Sequence, residues 1–323
     1  MNPATQQLIP QRLTLSTQEF QSLSDVRPEV EWLANLSSQK TRRAYRIDIQ
    51  SFVEFSGIAH TKEFKEVKRS HVLAWRSVME KQGLSSATIR RRMSALASLY
   101  EYLCDVGAAP HNPVRGVKRP RVEYLQGKTP ALSIEQARLL LEAPDRTTLK
   151  GLRDRAVLSM LLHHGLRREE LCALRVKDFG QQRSGIPHLL IHGKGGKIRY
   201  IPVHPESELL VGTYLHMSGH VTDTTGPLFR SVSTAQKGTL ARHLTPGSIY
   251  SRLVRPYMAM VGIHGELMGP HTLRCTATTA ALENHAEIAS VQDWLGHANI
   301  TTTRLYDRRQ LRATESPTFK TTY

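Results

Sequence analysis

Cysteine is scarce in this sequence, with only three occurrences among 323 residues. Cys104, Cys172 and Cys275 are far apart and form no C-x-x-C pair. The sequence therefore predicts neither a disulfide framework nor a cysteine zinc site, and it favours a reducing compartment. Long apolar runs are lacking too, and residues 1–7 do not have the basic start and apolar run of a signal peptide. We expect a cytoplasmic protein without a membrane span.

Acidic side chains are in deficit. The chain carries 44 Lys and Arg residues against 28 Asp and Glu, which gives a formal net charge of +16. Basic residues exceed acidic ones both in residues 1–130 and in the remainder. Binding of a polyanion by both halves explains this distribution, because neutralising phosphates releases counterions. Solubility alone, or binding to a ribosome or a membrane surface, is the alternative.

Helical periodicity dominates the first third of the chain. Residues 1–24 are polar and aperiodic and are predicted to form an N-terminal arm, whereas residues 25–112 are predicted to form a helical domain. The clearest apolar stripe repeats at spacings of three and four residues. It consists of Ile89, Met93, Leu96, Tyr100 and Leu103. Such spacing predicts a helix with one buried face.

Basic residues cluster on this helix and after it. Arg90, Arg91 and Arg92 follow the first apolar residue of the stripe. Most of the triplet is predicted to face outward, where it can contact DNA phosphates and guanine edges. A solvated charged face is the alternative. Prolines then interrupt residues 113–131, which predicts an extended basic linker between two domains. Further candidates for DNA contact in this linker are Arg115, Lys118, Arg119 and Arg121.

A second domain is predicted for residues 132–306. Ser133 begins a capping box at a helix start, and Gly165 is placed to end a later helix in the left-handed conformation. Two apolar segments flank the glycine-rich turn 193–196, which predicts a β-hairpin with Lys194 at its tip. The rest of the domain is predicted to be helical. The fold class is therefore mainly α (α+β), with one small antiparallel sheet.

Seven residues of the second domain suit phosphodiester chemistry without a metal ion. Two arginines can hold a phosphate while negative charge grows on it, since each guanidinium binds two oxygens. A carboxylate three residues after an arginine can orient that arginine. A lysine or histidine can donate or relay a proton, and a tyrosine can attack phosphorus. The residues are Arg167, Glu170, Lys194, His271, Arg274, His297 and Tyr306.

Each of these residues has an ordinary explanation on its own. An arginine is usually solvated, and the glycine-rich turn lacks the spacing of a P-loop. Lys197 is an alternative to Lys194 as the proton donor. The other histidines, among them His163, His164 and His204, show no metal-site spacing, so no metal site is predicted.

Taken together, the motifs resemble the tyrosine recombinase family, which includes the lambda-type integrases and the Xer recombinases. The matching stretches are Gly165-Leu166-Arg167-Arg168-Glu169-Glu170-Leu171, Gly193-Lys194-Gly195-Gly196-Lys197, Pro270-His271-Thr272-Leu273-Arg274, Leu295-Gly296-His297 and Tyr306. The resemblance implies an N-terminal α-helical, SAM-like core-binding domain and a C-terminal catalytic domain. It also implies a tail over residues 307–323 that packs on a neighbouring protomer. A frayed end is the alternative for the tail.

The resemblance gives each of the seven residues a role. Tyr306 is expected to be the nucleophile, Lys194 the general acid and Glu170 a support for the phosphate-binding side chains. Those side chains are Arg167, His271, Arg274 and His297. No metal, cofactor or ATP is expected. The sequence departs from the family at Cys275, where relatives commonly have histidine, but this position is not part of the catalytic set.

By the same resemblance, the expected partner is double-stranded DNA with inverted-repeat core sites. The protein is expected to act as a homotetramer on DNA, through a Holliday junction, and to be a monomer or weak oligomer when free. Its expected location is the bacterial cytoplasm or nucleoid. Participation of a partner recombinase or an accessory factor is left open. Two other functions compete: a type IB topoisomerase, which shares the chemistry, and a DNA-binding regulator without catalysis.

Overall fold

The computed structural model of the chain describes residues 28–121, 129–193, 196–233, 238–297 and 299–305, together with Gln21 and Val26. The chain divides into two compact units, Met1–Glu123 and Tyr124–Tyr323. The predicted tail over residues 307–323 lies outside the described residues, as does the predicted arm over residues 1–24 apart from Gln21. Within the described ranges, every helix is too short or too polar to cross a membrane.

The N-terminal unit is a helical domain with one apolar core. Its α-helices are Pro28–Asn35, Gln39–Ser56, Arg69–Lys81 and Ser86–Asp105, with a 3₁₀ helix at Thr61–Glu66. The last α-helix is capped by Ser85, whose hydroxyl accepts a hydrogen bond from the Thr88 N–H. The predicted apolar stripe of this helix is confirmed, since each of its residues is at most 2% exposed. It packs in one core with Phe52 and Trp75, whose rings meet edge to face.

A carboxylate lies buried within this unit. Asp48, in the Gln39–Ser56 helix, has no exposed surface. It accepts a hydrogen bond from Arg91, and its Oδ1 lies 3.8 Å from Arg92 Nε. Burial raises the pKa of Asp48 above its ordinary value, against the opposing effects of Arg91 and Arg92. Two of the three arginines in the predicted DNA-contacting triplet therefore lie against a buried acid.

The first part of the predicted linker packs on the N-terminal unit. Val114 and Val117 are buried in its core. Three arginines of the helices also donate hydrogen bonds to backbone carbonyls of this segment. The pairs are Arg69 with Arg115 (3.2 Å), Arg76 with Lys118 (2.8 Å) and Arg90 with Pro120 (3.3 Å). Residues 113–121 are thus attached to the unit along their length.

The C-terminal unit is mainly helical and carries two small sheets. Its α-helices are Ile134–Glu142, Leu149–His164, Arg168–Ala173, Pro205–Ser218, Pro246–Ser248, Arg255–Met260, Pro270–Glu283, Ile288–Leu295 and Ile300–Arg304. A 3₁₀ turn at Val176–Asp178 and a π-helical stretch at Ile249–Val254 complete the helical part. The predicted capping box at Ser133 is present. The predicted fold class, mainly α (α+β), is confirmed.

The predicted hairpin belongs to a three-stranded antiparallel sheet in the order β1-β2-β3. Its strands are Gln181–Arg183, Ile186–His192 and Ile198–Pro202. Ile191 of β2 pairs with Arg199 of β3. At the base of the turn, the Gly193 N–H donates to the Lys197 carbonyl (2.7 Å). The hairpin is confirmed, while Lys194 at its predicted tip lies outside the described residues.

The sequence predicts helix where the structure has a second sheet. Strand β4 (Arg230–Ser233) pairs antiparallel with β5 (Gly238–His243). The prediction is wrong here because β4 is only four residues long and Val232 is its single apolar residue. Such a strand shows no period-two apolar pattern in the sequence.

The Leu149–His164 helix forms the centre of the unit and leads into the candidate site. Its residues Ala156–Leu158 are completely buried. It ends at Gly165 in the left-handed conformation (φ +55°), as predicted. A Cβ at Gly165 would lie 2.8 Å from Leu295 Cδ2. The absence of a side chain therefore lets the chain turn close to the Ile288–Leu295 helix before it reaches Arg167.

Candidate active site

One cleft of the C-terminal unit gathers predicted catalytic side chains from three separate stretches of the chain. The cleft has a volume of about 570 Å³. Predicted residues in its lining are Arg167, His271, Arg274 and His297. Glu170, the fifth residue brought to this place, hydrogen-bonds to Arg167. The other two predicted residues, Lys194 and Tyr306, lie outside the described residues.

Arg167 and Glu170 are fixed by the start of a short helix. Arg167 is the N-cap of the Arg168–Ala173 helix, and Glu170 occupies its third position. Glu170 accepts hydrogen bonds from the Arg167 backbone N–H (2.9 Å) and from Arg167 Nη1 (2.8 Å). Burial alone raises the pKa of Glu170, but the hydrogen bonds from Arg199 and Arg167 outweigh it and hold the pKa below its ordinary value. Glu170 is therefore an ionised support for arginine.

Arg199 is a member of this cluster that sequence reasoning missed. Its two terminal nitrogens donate to the two carboxylate oxygens of Glu170 (3.0 and 2.9 Å), and its Nε donates to the Trp294 carbonyl (3.1 Å). A signal was present in strand β3, because Arg199 stands two residues before the buried Ile201. Side chains two apart share one face of a strand. An arginine on the inward face needs a partner there.

Arg274 is the most deeply buried of the cleft arginines, with 2% of its surface exposed. It donates from Nη1 to the Gly165 carbonyl and from Nη2 to the Leu295 carbonyl (2.8 Å). Both carbonyls lie at helix C-termini that glycine residues close in the left-handed conformation. The C-terminal end of a helix is its negative end and stabilises a cation. Arg274 Nη1 also lies 4.0 Å from Glu170.

His297 is held between Arg274 and Thr303. Arg274 Nη2 lies 2.8 Å from His297 Nε2, and Thr303 Oγ1 lies 2.9 Å from His297 Nδ1. A guanidinium only donates, so Nε2 is the acceptor, and the proton of the neutral ring is assigned to Nδ1. Burial, and then the charges of Arg274 and Arg167, lower the pKa of His297 to about 4. The ring is therefore neutral at pH 7.

His271 lies at the exposed edge of the cleft. It occupies the first turn of the Pro270–Glu283 helix, one turn before Arg274. Desolvation by the surrounding protein, followed by the charges of Arg274 and Arg167, lowers the pKa of His271 below its ordinary value. A neutral imidazole beside two guanidinium groups can accept a proton at neutral pH.

The predicted DNA-contacting residues lie on the Ser86–Asp105 helix and on residues 115–121, the segment that hydrogen bonds from Arg69, Arg76 and Arg90 attach to the N-terminal unit. We call these residues together the basic surface, and its members are Arg69, Arg76, Arg90, Arg91, Arg92, Arg115, Lys118, Arg119 and Arg121. The side chains of Arg91 and Arg92 are 44% and 20% exposed, and Arg92 donates to Ser51 (3.0 Å). Arg119 donates to Ser94 (3.0 Å). Arg69 and Arg76 are not among the residues predicted to contact DNA, although their spacing of seven residues places them on one helix face.

Three potential metal ligands come together elsewhere in the C-terminal unit. Ligand atoms of His163, His204 and Glu206 lie within 4.8 Å of one another. The two imidazole rings, however, are stacked with centroids 4.0 Å apart and planes at 7°. Ring-nitrogen lone pairs lie in the ring planes, so parallel rings do not point them at one ion. His204 Nδ1 also accepts from the Glu206 N–H (3.3 Å), and His163 Nδ1 contacts Ser159 Oγ (3.1 Å). The cluster is a stacked, hydrogen-bonded pair rather than a ligand set.

Comparison with known proteins relates both units to one family. The Phage integrase family matches residues 131–312, and the N-terminal SAM-like domain of phage integrases matches residues 31–107. The tyrosine recombinase XerD of Listeria monocytogenes serotype 4b (strain F2365) is 29% identical over 273 residues, which cover 83% of this chain and 88% of XerD.

Two solved structures share the fold. A XerH site-specific recombinase bound to a palindromic difH substrate, in a post-cleavage complex, has a TM-score of 0.68 and 20% identity. The match covers 98% of this chain and 93% of that one. A lambda integrase tetramer bound to a Holliday junction has a TM-score of 0.63 and 17% identity, over 91% of this chain and 79% of that one.

These matches define the class of the protein. The chain belongs to the phage integrase family of tyrosine recombinases, enzymes that recombine DNA at specific sites. The predicted family and enzyme class are therefore confirmed.

Proposed function

We propose that this recombinase cleaves DNA through a covalent 3′-phosphotyrosyl intermediate formed by Tyr306. The observation that carries the proposal is the convergence of Arg167, Arg274 and two histidines on one cleft, with Glu170 ionised beside them. Donors that are fixed before the reaction stabilise the charge that develops on a phosphate in the transition state. A carboxylate on the protein side keeps the arginines in place without approaching the phosphate.

The proposed cleavage step moves two protons. The phenolic oxygen of Tyr306 bonds to phosphorus, and its proton passes to His271, which is neutral at pH 7 because its pKa is lowered. The bond between phosphorus and the 5′-oxygen breaks, and that oxygen takes a proton from Lys194. Arg167 and Arg274 bind the non-bridging oxygens, and His297, whose Nε2 accepts from Arg274, holds that guanidinium in place. No metal ion or ATP enters this scheme.

Rejoining reverses the same step. The phosphotyrosyl bond retains the free energy of the broken phosphodiester, so the 5′-hydroxyl of a partner strand can attack phosphorus and release the tyrosine. The attacking 5′-hydroxyl gives its proton to Lys194, and the proton that His271 received returns to the phenolic oxygen of Tyr306. Exchange of partner strands in this way produces a Holliday junction when it occurs at one pair of strands.

We assign DNA binding outside the cleft to the basic surface. Arg90, Arg115, Lys118, Arg119 and Arg121 are exposed there, next to Arg91 and Arg92. Exposed guanidinium and ammonium groups neutralise phosphates and release counterions, which matches the formal net charge of +16.

The proposed active assembly is a homotetramer on two DNA sites with inverted-repeat core sequences. It is supported by two fold relatives, a XerH recombinase bound to a palindromic difH substrate and a lambda integrase tetramer bound to a Holliday junction. The free protein is then a monomer or weak oligomer.

The test of the proposed nucleophile is Tyr306→Phe, assayed on a nicked suicide substrate that traps covalent protein–DNA adducts. We expect the variant to bind DNA as the wild type does and to form no adduct, because the attacking oxygen is missing. His285→Ala is the control, because this exposed histidine is not among the residues that line the cleft. An adduct that persists in Tyr306→Phe would show that another residue is the nucleophile.

A further inference from the structure

We propose that Arg199 is a positioning residue that fixes the β2–β3 hairpin against the phosphate-binding cluster. It thereby places the proton donor carried by that hairpin. This inference rests on the proposed function, because it takes the donor to be a lysine of the turn, Lys194 or its alternative Lys197. Arg199 itself does not line the cleft. Its role would be to act through the strand that carries it.

The contacts of Arg199 join three elements. Its guanidinium makes a two-bond pair with Glu170 of the Arg168–Ala173 helix (3.0 and 2.9 Å). Its Nε donates to the carbonyl of Trp294, at the end of the Ile288–Leu295 helix (3.1 Å). Glu170 in turn holds Arg167. One side chain of the hairpin is thus bonded to the support of the arginine cluster and to the segment that leads into His297.

The backbone next to Arg199 leaves room for its guanidinium. A Cβ on Gly296 would lie 3.0 Å from Arg199 Nη1 and 3.2 Å from Arg199 Cζ. Gly296 also has a positive φ (+63°), where side chains are strained. The glycine that turns the chain toward His297 is therefore also the one that lets Arg199 approach. Both the positive φ of Gly296 and its lack of a side chain therefore suit this contact with Arg199.

Arg199 is the hydrogen-bonded attachment nearest the turn among the hairpin side chains that the structure describes. Among the described side chains between Ile191 and Ile201, all are exposed except that of Arg199. Its side chain is 14% exposed. His192, one position nearer the turn, has a side chain that is 55% exposed, and its Nε2 lies 3.9 Å from Asp178 Oδ1. The bond from Gly193 to Lys197 closes the base of the turn next to these residues. Of the described contacts of the hairpin, those of Arg199 are the hydrogen bonds that tie strand β3 to the phosphate-binding cluster.

Arginine is suited to this task and lysine is not equivalent. The planar guanidinium donates to both oxygens of Glu170 and keeps a third N–H for the Trp294 carbonyl, so it fixes orientation as well as distance. An ammonium group at position 199 would keep the charge beside Glu170 but lose this geometry. Misplacement of a catalytic group by a fraction of an ångström lowers the rate while leaving the cleft itself assembled.

The test compares two leaving groups at the scissile phosphate of a nicked suicide substrate, the natural 5′-oxygen and a 5′-bridging sulfur. Sulfur leaves without a proton, so it removes the need for the acid. We expect Arg199→Ala to slow cleavage of the oxygen substrate by about 100-fold, which is at the low end for loss of a general acid. The sulfur substrate should restore most of that loss, as it should for Lys194→Ala.

Three further variants make the result specific. Arg199→Lys keeps the charge and is expected to fold as the wild type does, with a smaller defect that sulfur also corrects. Arg183→Ala is the matched control. The Arg183 guanidinium stacks on the ring of Tyr200, the residue after Arg199, at 3.8 Å from the ring centroid, and it does not contact Glu170. It should behave as the wild type with both substrates. Arg167→Ala should remain slow with sulfur, because phosphate binding is lost there.

If sulfur accelerates Arg199→Ala and Arg199→Lys no more than it accelerates the wild type, Arg199 acts through the arginine cluster or the fold and the inference is overturned. If Lys194→Ala is not corrected by sulfur while Arg199→Ala is, the proposed role of Lys194 fails. The positioning role of Arg199 then stands, with Lys197 as the donor. If the sulfur substrate restores cleavage in neither Lys194→Ala nor Arg199→Ala, the general acid does not lie on the hairpin.

Discussion

The two units use arginine in opposite ways. In the C-terminal unit, Arg274 and Arg199 have side chains that are 2% and 14% exposed and are bound by carbonyls and by Glu170. In the N-terminal unit, Arg69 and Arg90 are exposed and use single bonds to fasten a surface segment. Charge that stabilises a transition state has to be fixed beforehand, whereas charge that binds a DNA backbone works at the surface by exchange with counterions.

One buried carboxylate from each unit, Glu170 and Asp48, repeats this contrast. Glu170 accepts hydrogen bonds from Arg167 and Arg199 on both of its oxygens, and its pKa is lowered. Asp48 is also buried, but its Oδ1 accepts no hydrogen bond from a described residue, and its pKa is raised. The number of hydrogen bonds to the ionised carboxylate, rather than the depth of burial, therefore decides whether its pKa is lowered or raised. Only the acid with the lowered pKa stabilises its unit as an anion.

Among the variants that test this contrast, the largest expected effect is that of Arg274→Ala on cleavage. We expect the adduct to form more slowly by about 10²–10³-fold, the typical cost of removing one fixed donor to a developing oxyanion. The proposed DNA binding by the basic surface should persist. The measurement is the rate of adduct formation at saturating protein on a suicide substrate.

The matched control for Arg274 is Arg155→Ala. Arg155 also donates to a carbonyl (Leu141, 3.3 Å) and to a carboxylate (Glu142, 2.7 Å). It does not line the cleft. We expect its replacement to leave the rate of adduct formation within severalfold of the wild type. Equal losses in the two variants would mean that loss of a packed arginine, and not loss of phosphate binding, causes the defect.

The second prediction concerns the carboxylates. Glu170→Gln is expected to lower the free energy of unfolding of its unit by about 3 kcal/mol at pH 7, since it removes one charge from a buried, hydrogen-bonded group. Asp48→Asn is expected to change it by less than about 1 kcal/mol, because the amide oxygen can still accept from Arg91. Hydrogen exchange resolved by peptide reports the two units separately. If Asp48→Asn lowered the free energy of unfolding more than Glu170→Gln does, the difference drawn between the two carboxylates would be wrong.

The same pair should respond to pH with opposite signs. The lowered pKa of Glu170 means that its contribution is present above its ordinary value of 4.5 and is lost as the pH falls through the folded-state pKa. The raised pKa of Asp48 means that its contribution is present below 3.8 and is lost as the pH rises through the folded-state pKa. The difference in the free energy of unfolding between the wild type and each variant, measured from pH 7 down to about pH 3, isolates each effect. A shared sign would be inconsistent with the assigned pKa directions.

Local features of the fold could be predicted from the sequence, and the contacts that connect distant parts could not. The stripe from Ile89 to Leu103, the end of a helix at Gly165 and the hairpin before Ile198 each follow from spacing within a few residues. The partnership of Arg199 with Glu170 spans 29 positions, and that of Asp48 with Arg91 spans 43. No local pattern specifies such pairs, although a charged residue on a buried face indicates that a partner exists.

Family motifs extended the prediction of the site further than physical pattern alone. Arg167, His271 and His297 are unremarkable singly, but the motifs predicted that they belong together, and the fold brings them to one cleft. Arg69 and Arg76 lie in no such motif. Their contacts depend on how residues 113–121 pack, which the prolines indicated only as an extended segment. Interactions made through backbone carbonyls leave no residue-type signal at the acceptor position.

The smallest expected effect is that of Arg90→Ala on DNA binding. Arg90 is exposed and makes one hydrogen bond to the Pro120 carbonyl, so its loss should leave the fold intact. We expect affinity to fall severalfold on every DNA sequence and the slope of log affinity against log salt to decrease by about one, since roughly one fewer counterion is released. Arg43→Ala is the matched control, because Arg43 is an exposed arginine of the Gln39–Ser56 helix outside the basic surface. If both variants change the slope equally, phosphate binding is spread over the unit and the basic surface has no special role. If only Arg90 changes it, exposed charge at this surface binds DNA while buried charge in the other unit serves the reaction.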